Sequence, residues 1–235
     1  MAYTFMLVHG AWHGGWCWRC VADRLRLDGY TVFTPTLTGL GERSHLLRPG
    51  IDLATHVADV VGVMRWERLS DVVLCGHSYG GFVISGVAEE MPALIRSMVF
   101  LDAFLPGTGD TIQKVTGPVI QDAIRAAGQR GELGVPPRSA ETFGVNEADR
   151  QWVDSLCVPQ PIDTFTSPIT LTGARERISR KTYIRAKGYY NPSFDRAFAA
   201  VQSDPSWHCH QVPCGHDVMV DMPDRLTELL LQGAA

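Results

Sequence analysis

The chain has 235 residues, 45% of them hydrophobic, with 21 Lys and Arg against 25 Asp and Glu and a net charge of −4. This size suits one domain with a sizeable core. The charges form no basic block, which argues against nucleic acid and anionic membrane surfaces as partners. The sequence begins with a strand-like run and no signal-peptide pattern, so we expect a cytoplasmic protein whose six cysteines remain thiols.

Short β-rich runs alternate with helical patterns, which predicts an α/β fold with a mostly parallel sheet covered by helices on both faces. The six predicted strands are residues 4–8, 31–33, 71–75, 97–101, 181–185 and 207–212. Amphipathic helices are predicted after the first strand, over Leu53 to Met64, after the glycines at 80 and 81, and from Pro223 onward.

Residues 105–170 break this alternation, because many Pro and Gly residues surround two helical segments, 119–129 and 146–157. We interpret the segment as a helical cap inserted within a single domain that spans residues 1–235.

A candidate nucleophile lies in Gly76-His77-Ser78-Tyr79-Gly80, which fits G-x-S-x-G between a strand and a helix pattern. Such a sharp turn forces its central residue into strained dihedral angles, and the flanking glycines let neighbouring backbone pass closely. The turn would present Ser78 at the carboxyl edge of the sheet. The alternative is a Gly-rich turn that carries a serine by chance.

A serine hydroxyl needs a base within hydrogen-bond reach before it can attack. His216 follows the last predicted strand and precedes the last helix, where this architecture places its histidine. The alternative is an exposed surface histidine. The glycine-rich turn HGAWHGGW follows the first strand, and we assign the amides of Ala11 and Tyr79 to an oxyanion hole. These turn residues could equally serve to shape a tight turn.

Together these segments resemble the α/β-hydrolase fold, and more narrowly its branch of plant methyl esterases and hydroxynitrile lyases with their bacterial esterase relatives. The resemblance covers nearly the whole chain through FMLVHGAWHGGWCW, PTLTGLGERSHL, GHSYGG, FLDAFLP, PQPIDTF and GHDVMVDMP. The plant lyases typically carry Thr where this chain has Gly10, and Lys where it has Asp217. A cation at position 217 would stabilise departing cyanide, whereas an aspartate would repel it. The resemblance therefore implies ester hydrolysis.

The acid of the predicted triad departs from the family pattern. The plant enzymes usually carry it after the penultimate strand, but the segment AKGYYNPSF has no carboxylate before Asp195. Asp102 ends the strand 97–101, and because the ends of parallel strands converge on one crevice, it can reach the same histidine. We predict Asp102 as the acid and Asp195 as the reserve candidate; the alternative for Asp102 is a helix or turn cap.

The predicted function is a serine hydrolase that cleaves carboxylic esters of small, apolar or aromatic molecules through an acyl-enzyme. The residues expected to line its pocket, with core packing as the alternative for most, are Trp12, Phe104, Phe143, Trp152 and Phe165. No metal or organic cofactor and no nucleic-acid or membrane partner are expected, and a homodimer is left open. The alternatives are a hydroxynitrile lyase and a non-catalytic ligand-binding receptor on the same fold.

Overall fold

A computed structural model describes residues 3–234 of the chain. The strands are β1 (Thr4–Val8), β2 (Thr31–Phe33), β3 (Val72–His77), β4 (Ile95–Leu101), β5 (Gly134–Val135), β6 (Gln160–Pro161), β7 (Lys181–Ala186) and β8 (Trp207–Val212). The helices are α1 (Arg19–Leu27), α2 (Leu53–Trp66), α3 (Gly80–Glu90), α4 (Ile112–Val115), α5 (Pro118–Gln129), α6 (Arg150–Leu156), α7 (Asp163–Thr166), α8 (Ala174–Arg177), α9 (Pro192–Val201), α10 (Val218–Asp221) and α11 (Pro223–Ala234).

Six strands form one sheet in the order β2-β1-β3-β4-β7-β8, and all neighbouring strands run parallel. The predicted fold class and all six predicted strands are thus confirmed. The chain passes from β1 to β2 on one side and then returns to β3 on the other side of β1. Parallel sheets bind ligands at the carboxyl ends of strands where the strand order reverses in this way. The sheet therefore directs the search for a site to the ends of β1 and β3.

The two faces of the sheet bury alternate residues of its strands, as the period of two requires. Leu7 and Leu101 face the layer formed by α1 and α11, whereas Met6 and Phe100 face the layer that contains α2, α3 and α9. Helix α2 begins at a capping box in which Asp52 accepts a hydrogen bond from the backbone of Thr55. Helices therefore cover both faces, which explains why the central strands read as continuous apolar runs.

The segment between β4 and β7 contains α4 to α8 and the short antiparallel pair β5 and β6. The helix predicted over 119–129 is α5. The helix predicted over 146–157 is shorter, because Asn146 donates a side-chain hydrogen bond of 2.7 Å to Asp149 and holds the preceding residues in a turn. Helix α6 consequently begins only at Arg150.

Among residues 3–234, no helix is long and apolar enough to cross a membrane. All six cysteines are unpaired: two are buried, one is exposed and three are intermediate.

Candidate active site

Three segments that follow neighbouring strands carry non-glycine residues with positive φ: Trp12 at 67°, Ser78 at 54° and Asp102 at 40°. Such angles are strained for residues with a Cβ, and they concentrate at functional sites. The Ser78 amide donates to Leu101 O over 3.2 Å, and the Asp102 amide donates to Ile184 O over 2.7 Å. These bonds place the ends of β3, β4 and β7 side by side.

The turn at Ser78 depends on its glycines. A Cβ at Gly76 would lie 2.6 Å from Gly80 O, and a Cβ at Gly80 would lie 2.9 Å from Val8 O. A Cβ at Gly10, across from the turn, would lie 2.8 Å from His77 Nδ1 and 3.0 Å from Ser78 Cβ. Ordinary side chains at these positions would push the strand ends apart, so the Gly residues of the sequence motif have a steric reason.

Gly81 gives a test of this packing. A Cβ there would lie 2.1 Å from Phe104 O, whereas a Cβ at Gly62 in α2 would meet nothing within 4 Å. We expect Gly81→Ala to lower the free energy of unfolding by about 1–3 kcal/mol through overpacking. The control Gly62→Ala should raise it by about 0.5–1 kcal/mol, because alanine favours an open helix position. Urea unfolding measures both, and equal effects of the two substitutions would contradict the close packing at Gly81.

His216 and Asp102 form a buried pair. His216 Nδ1 donates to Asp102 Oδ2 over 2.6 Å, and the two side chains are 4% and 0% exposed. The backbone amide of His216 donates to Phe143 O over 2.8 Å. The imidazole stacks on Tyr189 and Phe194 with ring centroids 4.6 and 5.3 Å away. With Nδ1 bonded to the carboxylate, Nε2 is the nitrogen left to accept a proton.

Arg185 lies between the two candidate carboxylates, Asp102 and Asp195. This buried arginine on β7 donates to Asp102 Oδ1 over 2.7 Å through Nη1 and to Asp195 Oδ1 over 3.0 Å through Nε. The Ala186 amide also donates to Asp102 Oδ1 over 3.0 Å. Asp195 therefore binds the arginine, and Asp102 is the carboxylate in contact with His216.

One cavity brings most of the predicted site residues together. It is lined by Ala11, Trp12, Ser78, Tyr79, Phe104, Phe143, Phe165 and His216, and also by Ile112, Thr116, Ile120, Arg138, Tyr189, Asn191 and Phe194. Within the described residues, the amides of Ala11 and Tyr79 donate no hydrogen bond to another protein group. They are thus free to bind a ligand oxygen in this cavity.

Trp152 lies outside this lining, contrary to prediction. Its ring packs edge-on against Trp16, with centroids 5.2 Å apart. Trp152 lies on α6, next to the 3-10 helix Gly15–Trp18 that carries Trp16. Its apolar surface thus joins the packing around the first turn and does not shape the cavity.

A second buried polar cluster lies behind the histidine. His13 donates through Nδ1 to Ala11 O over 2.8 Å and through Nε2 to Asp217 Oδ2 over 3.1 Å. His77 Nε2 donates to His216 O over 3.1 Å and lies 3.7 Å from Asp217 Oδ1. Burial opposes charge on His13, but the Asp217 carboxylate raises its pKa well above 6.5, and His13 holds the pKa of Asp217 below its usual range. Asp217 is fully buried, faces His13 and is absent from the cavity lining given above.

The comparison with known families agrees with this fold. Residues 5–229 match the profile of a family described as "Alpha/beta hydrolase family". The chain belongs to this family. This hydrolase is 44% identical over 237 residues to a carbendazim hydrolyzing esterase from Nocardioides sp. (strain SG-4G), across 97% of this chain and 98% of that one. Methylesterase 10 of Arabidopsis thaliana is 36% identical over 107 residues, which cover 44% of this chain and 38% of the plant protein.

The hydrolase also resembles solved structures over its whole length. An extracellular alpha/beta-hydrolase from a Paenibacillus species superposes with a TM-score of 0.86 at 22% identity, covering 98% of both chains. At this identity the likeness bears on the fold, and it agrees with the observed sheet order. The predicted resemblance to this superfamily and branch is confirmed.

Several residues of the hydrolase's cavity carry no recognisable signal in the sequence. Arg138 follows two prolines in an irregular segment, and Tyr189 and Asn191 lie in the irregular turn after β7. Phe194 lies in the first turn of α9, a helix whose apolar pattern predicts core packing. Arg185 carried a usable signal, because a charged residue in a buried central strand requires a partner of opposite charge.

Proposed function

We propose that this hydrolase is a serine esterase that uses Ser78 as nucleophile, His216 as general base and Asp102 as the acid that orients it. The observation that carries the proposal is the 2.6 Å hydrogen bond between His216 Nδ1 and Asp102 Oδ2. His216 lines the same cavity as Ser78. Hydrolysis of carboxylic esters as the reaction class is supported by the esterase that is 44% identical over nearly the whole chain.

The reaction proceeds through an acyl-enzyme. Ser78 Oγ attacks the ester carbonyl while His216 Nε2 accepts its proton, and the amides of Ala11 and Tyr79 bind the oxyanion. Collapse of the tetrahedral intermediate breaks the bond to the alcohol oxygen, which takes the proton from His216. Water then attacks the acyl-serine, gives its proton to His216, and releases the carboxylic acid as Ser78 regains its proton.

The cavity favours an apolar or aromatic substrate. Four of its lining side chains are the predicted Trp12, Phe104, Phe143 and Phe165, and all four are buried. We propose that residues 105–170 act as a cap, since this segment supplies Phe143 and Phe165 to the lining. Carbendazim, the compound in the name of the close relative, and small aryl esters are the first substrates to test.

Covalent labelling tests the nucleophile. We expect a fluorophosphonate probe to add one equivalent of mass to the wild-type protein, because only an activated serine reacts with it. Ser78→Ala should not be labelled, and Ser203→Ala, which removes an exposed serine, should label like wild type. Intact-mass spectrometry makes the measurement. A wild type that stays unlabelled, under conditions that label a known serine esterase, would refute Ser78 as the nucleophile.

The same labelling experiment, together with a cyanide assay on unlabelled protein, separates the two alternative functions. A receptor would bind ligands without reacting with the probe, whereas a hydroxynitrile lyase would release cyanide from mandelonitrile. A threonine at Gly10, as in the plant lyases, would meet His77 and Ser78 at 3.0 Å or less in this backbone. We therefore expect ester hydrolysis without cyanide release.

A further inference from the structure

The cavity at Ser78 is too small to hold most esters alone. Only about 50 Å³ of it is open to the centres of water-sized molecules, compared with about 360 Å³ in a groove beside it. The cavity and the groove share Thr116, Ile120, Arg138, Tyr189 and Asn191. A substrate with its carbonyl at Ser78 would therefore extend past these shared residues into the groove.

Arg138 is the one Arg, Lys, Asp or Glu in the lining of the cavity. It forms no salt bridge among the described residues, and its contacts are a 3.4 Å hydrogen bond to the Tyr189 hydroxyl and the Phe143 ring, 5.8 Å from the guanidinium carbon. Burial raises the pKa of Tyr189, so this hydroxyl stays neutral and gives Arg138 no counter-charge. A half-buried guanidinium of this kind has donors free for an anion.

The groove beside it is also positive. We call it the basic groove; its charged lining residues are Lys114, Arg138 and Arg196, and its lining includes no Asp or Glu. Lys114 donates to Gly109 O and Arg196 to Ser193 Oγ, and neither forms an ion pair among the described residues. In a chain with a net charge of −4, three cations around one concave surface set up a local field that attracts anions.

We propose that the basic groove binds a carboxylate of the substrate, so that the preferred esters carry a free carboxylate remote from the ester that is cleaved. This inference rests on the proposed function and names its substrate class. Arg138 is its central residue, because it faces both the cavity and the groove and its planar fork matches carboxylate geometry. The apolar cavity then holds the part of the substrate that joins the two groups.

A matched pair of esters tests the proposal. 4-Nitrophenyl hexanoate and mono-4-nitrophenyl adipate have the same leaving group and acyl length, but only the adipate ends in a carboxylate. We expect wild-type kcat/KM to favour the adipate ester, mainly through KM, and to lose this preference as salt is added. Arg138→Gln should reduce the adipate-to-hexanoate ratio by about tenfold or more, and Arg138→Lys should keep part of it.

Arg125→Gln is the control, because Arg125 lies on α5 and is exposed in an ion pair with Asp122; it should leave the ratio unchanged. Equal loss on both esters in Arg138→Gln, or no preference in the wild type, would overturn the proposal. If neither ester is hydrolysed, the proposed function fails. Calorimetry on Ser78→Ala, which measures binding of the two esters without turnover, then tests the basic groove separately. Tighter binding of the adipate ester that depends on Arg138 would support the groove, and equal binding of the two esters would refute it.

Discussion

Asp102→Asn is expected to lower kcat by about 10⁴-fold, the loss typical when the acid of such a triad becomes an amide. Asp102 Oδ2 accepts the Nδ1 proton of His216. An asparagine would present its NH₂ to Nδ1, favour the tautomer with the proton on Nε2, and leave no base for Ser78. Steady-state hydrolysis of an aryl ester measures the loss, and circular dichroism checks that the variant is folded.

Asp195→Asn is the matched control. Both carboxylates bind Arg185, but only Asp102 contacts His216, and Asp195 is 42% exposed. An asparagine at 195 still offers an oxygen to Arg185 Nε, so we expect activity close to that of the wild type. Near-normal activity in Asp102→Asn together with a large loss in Asp195→Asn would transfer the acid role to Asp195.

Asp217→Asn is expected to lower the free energy of unfolding by about 3–5 kcal/mol near pH 5, the usual effect of breaking a buried ion pair. His13 and Asp217 are 2% and 0% exposed, so solvent does not screen their charges. Without the carboxylate, burial would force His13 to give up its proton. Chemical denaturation of wild type and variant across pH 5–9 measures the difference.

The difference in the free energy of unfolding between wild type and Asp217→Asn should narrow as pH rises. The folded-state pKa of His13 is raised well above 6.5, so its stabilisation is complete below the unfolded pKa and is lost as pH rises through the folded pKa. Asp217, whose pKa is lowered, contributes above its unfolded pKa, and its contribution is lost only in stronger acid. The neighbouring titratable groups His77, Cys157 and Cys17 are present in both proteins. A difference that does not change with pH would contradict a charged His13.

A double variant separates this pair from its surroundings. His13→Gln with Asp217→Asn removes both charges. The double variant should therefore lose less free energy of unfolding than the two single variants lose in sum. Strict additivity would mean that the two side chains do not interact.

Local rules were sufficient to predict the sheet and the segments that the structure brings together at its carboxyl edge. Alternation of strands and helices predicts the sheet, the G-x-S-x-G turn predicts Ser78, and position in chain order predicts His216. Asp102 followed from topology, because the ends of parallel strands meet at one edge. These inferences need no knowledge of side-chain packing.

The remaining features depend on contacts between distant segments. Trp152 is aromatic, as pocket residues often are, but the position of its helix places it against Trp16. Asp217 is next to His216 in sequence, yet its carboxylate faces His13, 204 positions away. Arg138 lies in a segment without periodicity, so no pattern places it in the cavity. Such contacts are fixed by the packing of the whole chain, which local patterns do not encode.

Arg185, which binds both Asp102 and Asp195, also bears on how related sequences are recognised. Arg185 binds one carboxylate at the end of β4 and a second one on α9, so an acid at either position would have the same cationic partner. Under the proposed triad, a search that requires the acid directly after the penultimate strand would miss sequences arranged like this one. Arg185 together with Asp102 is the pair of positions by which to recognise them.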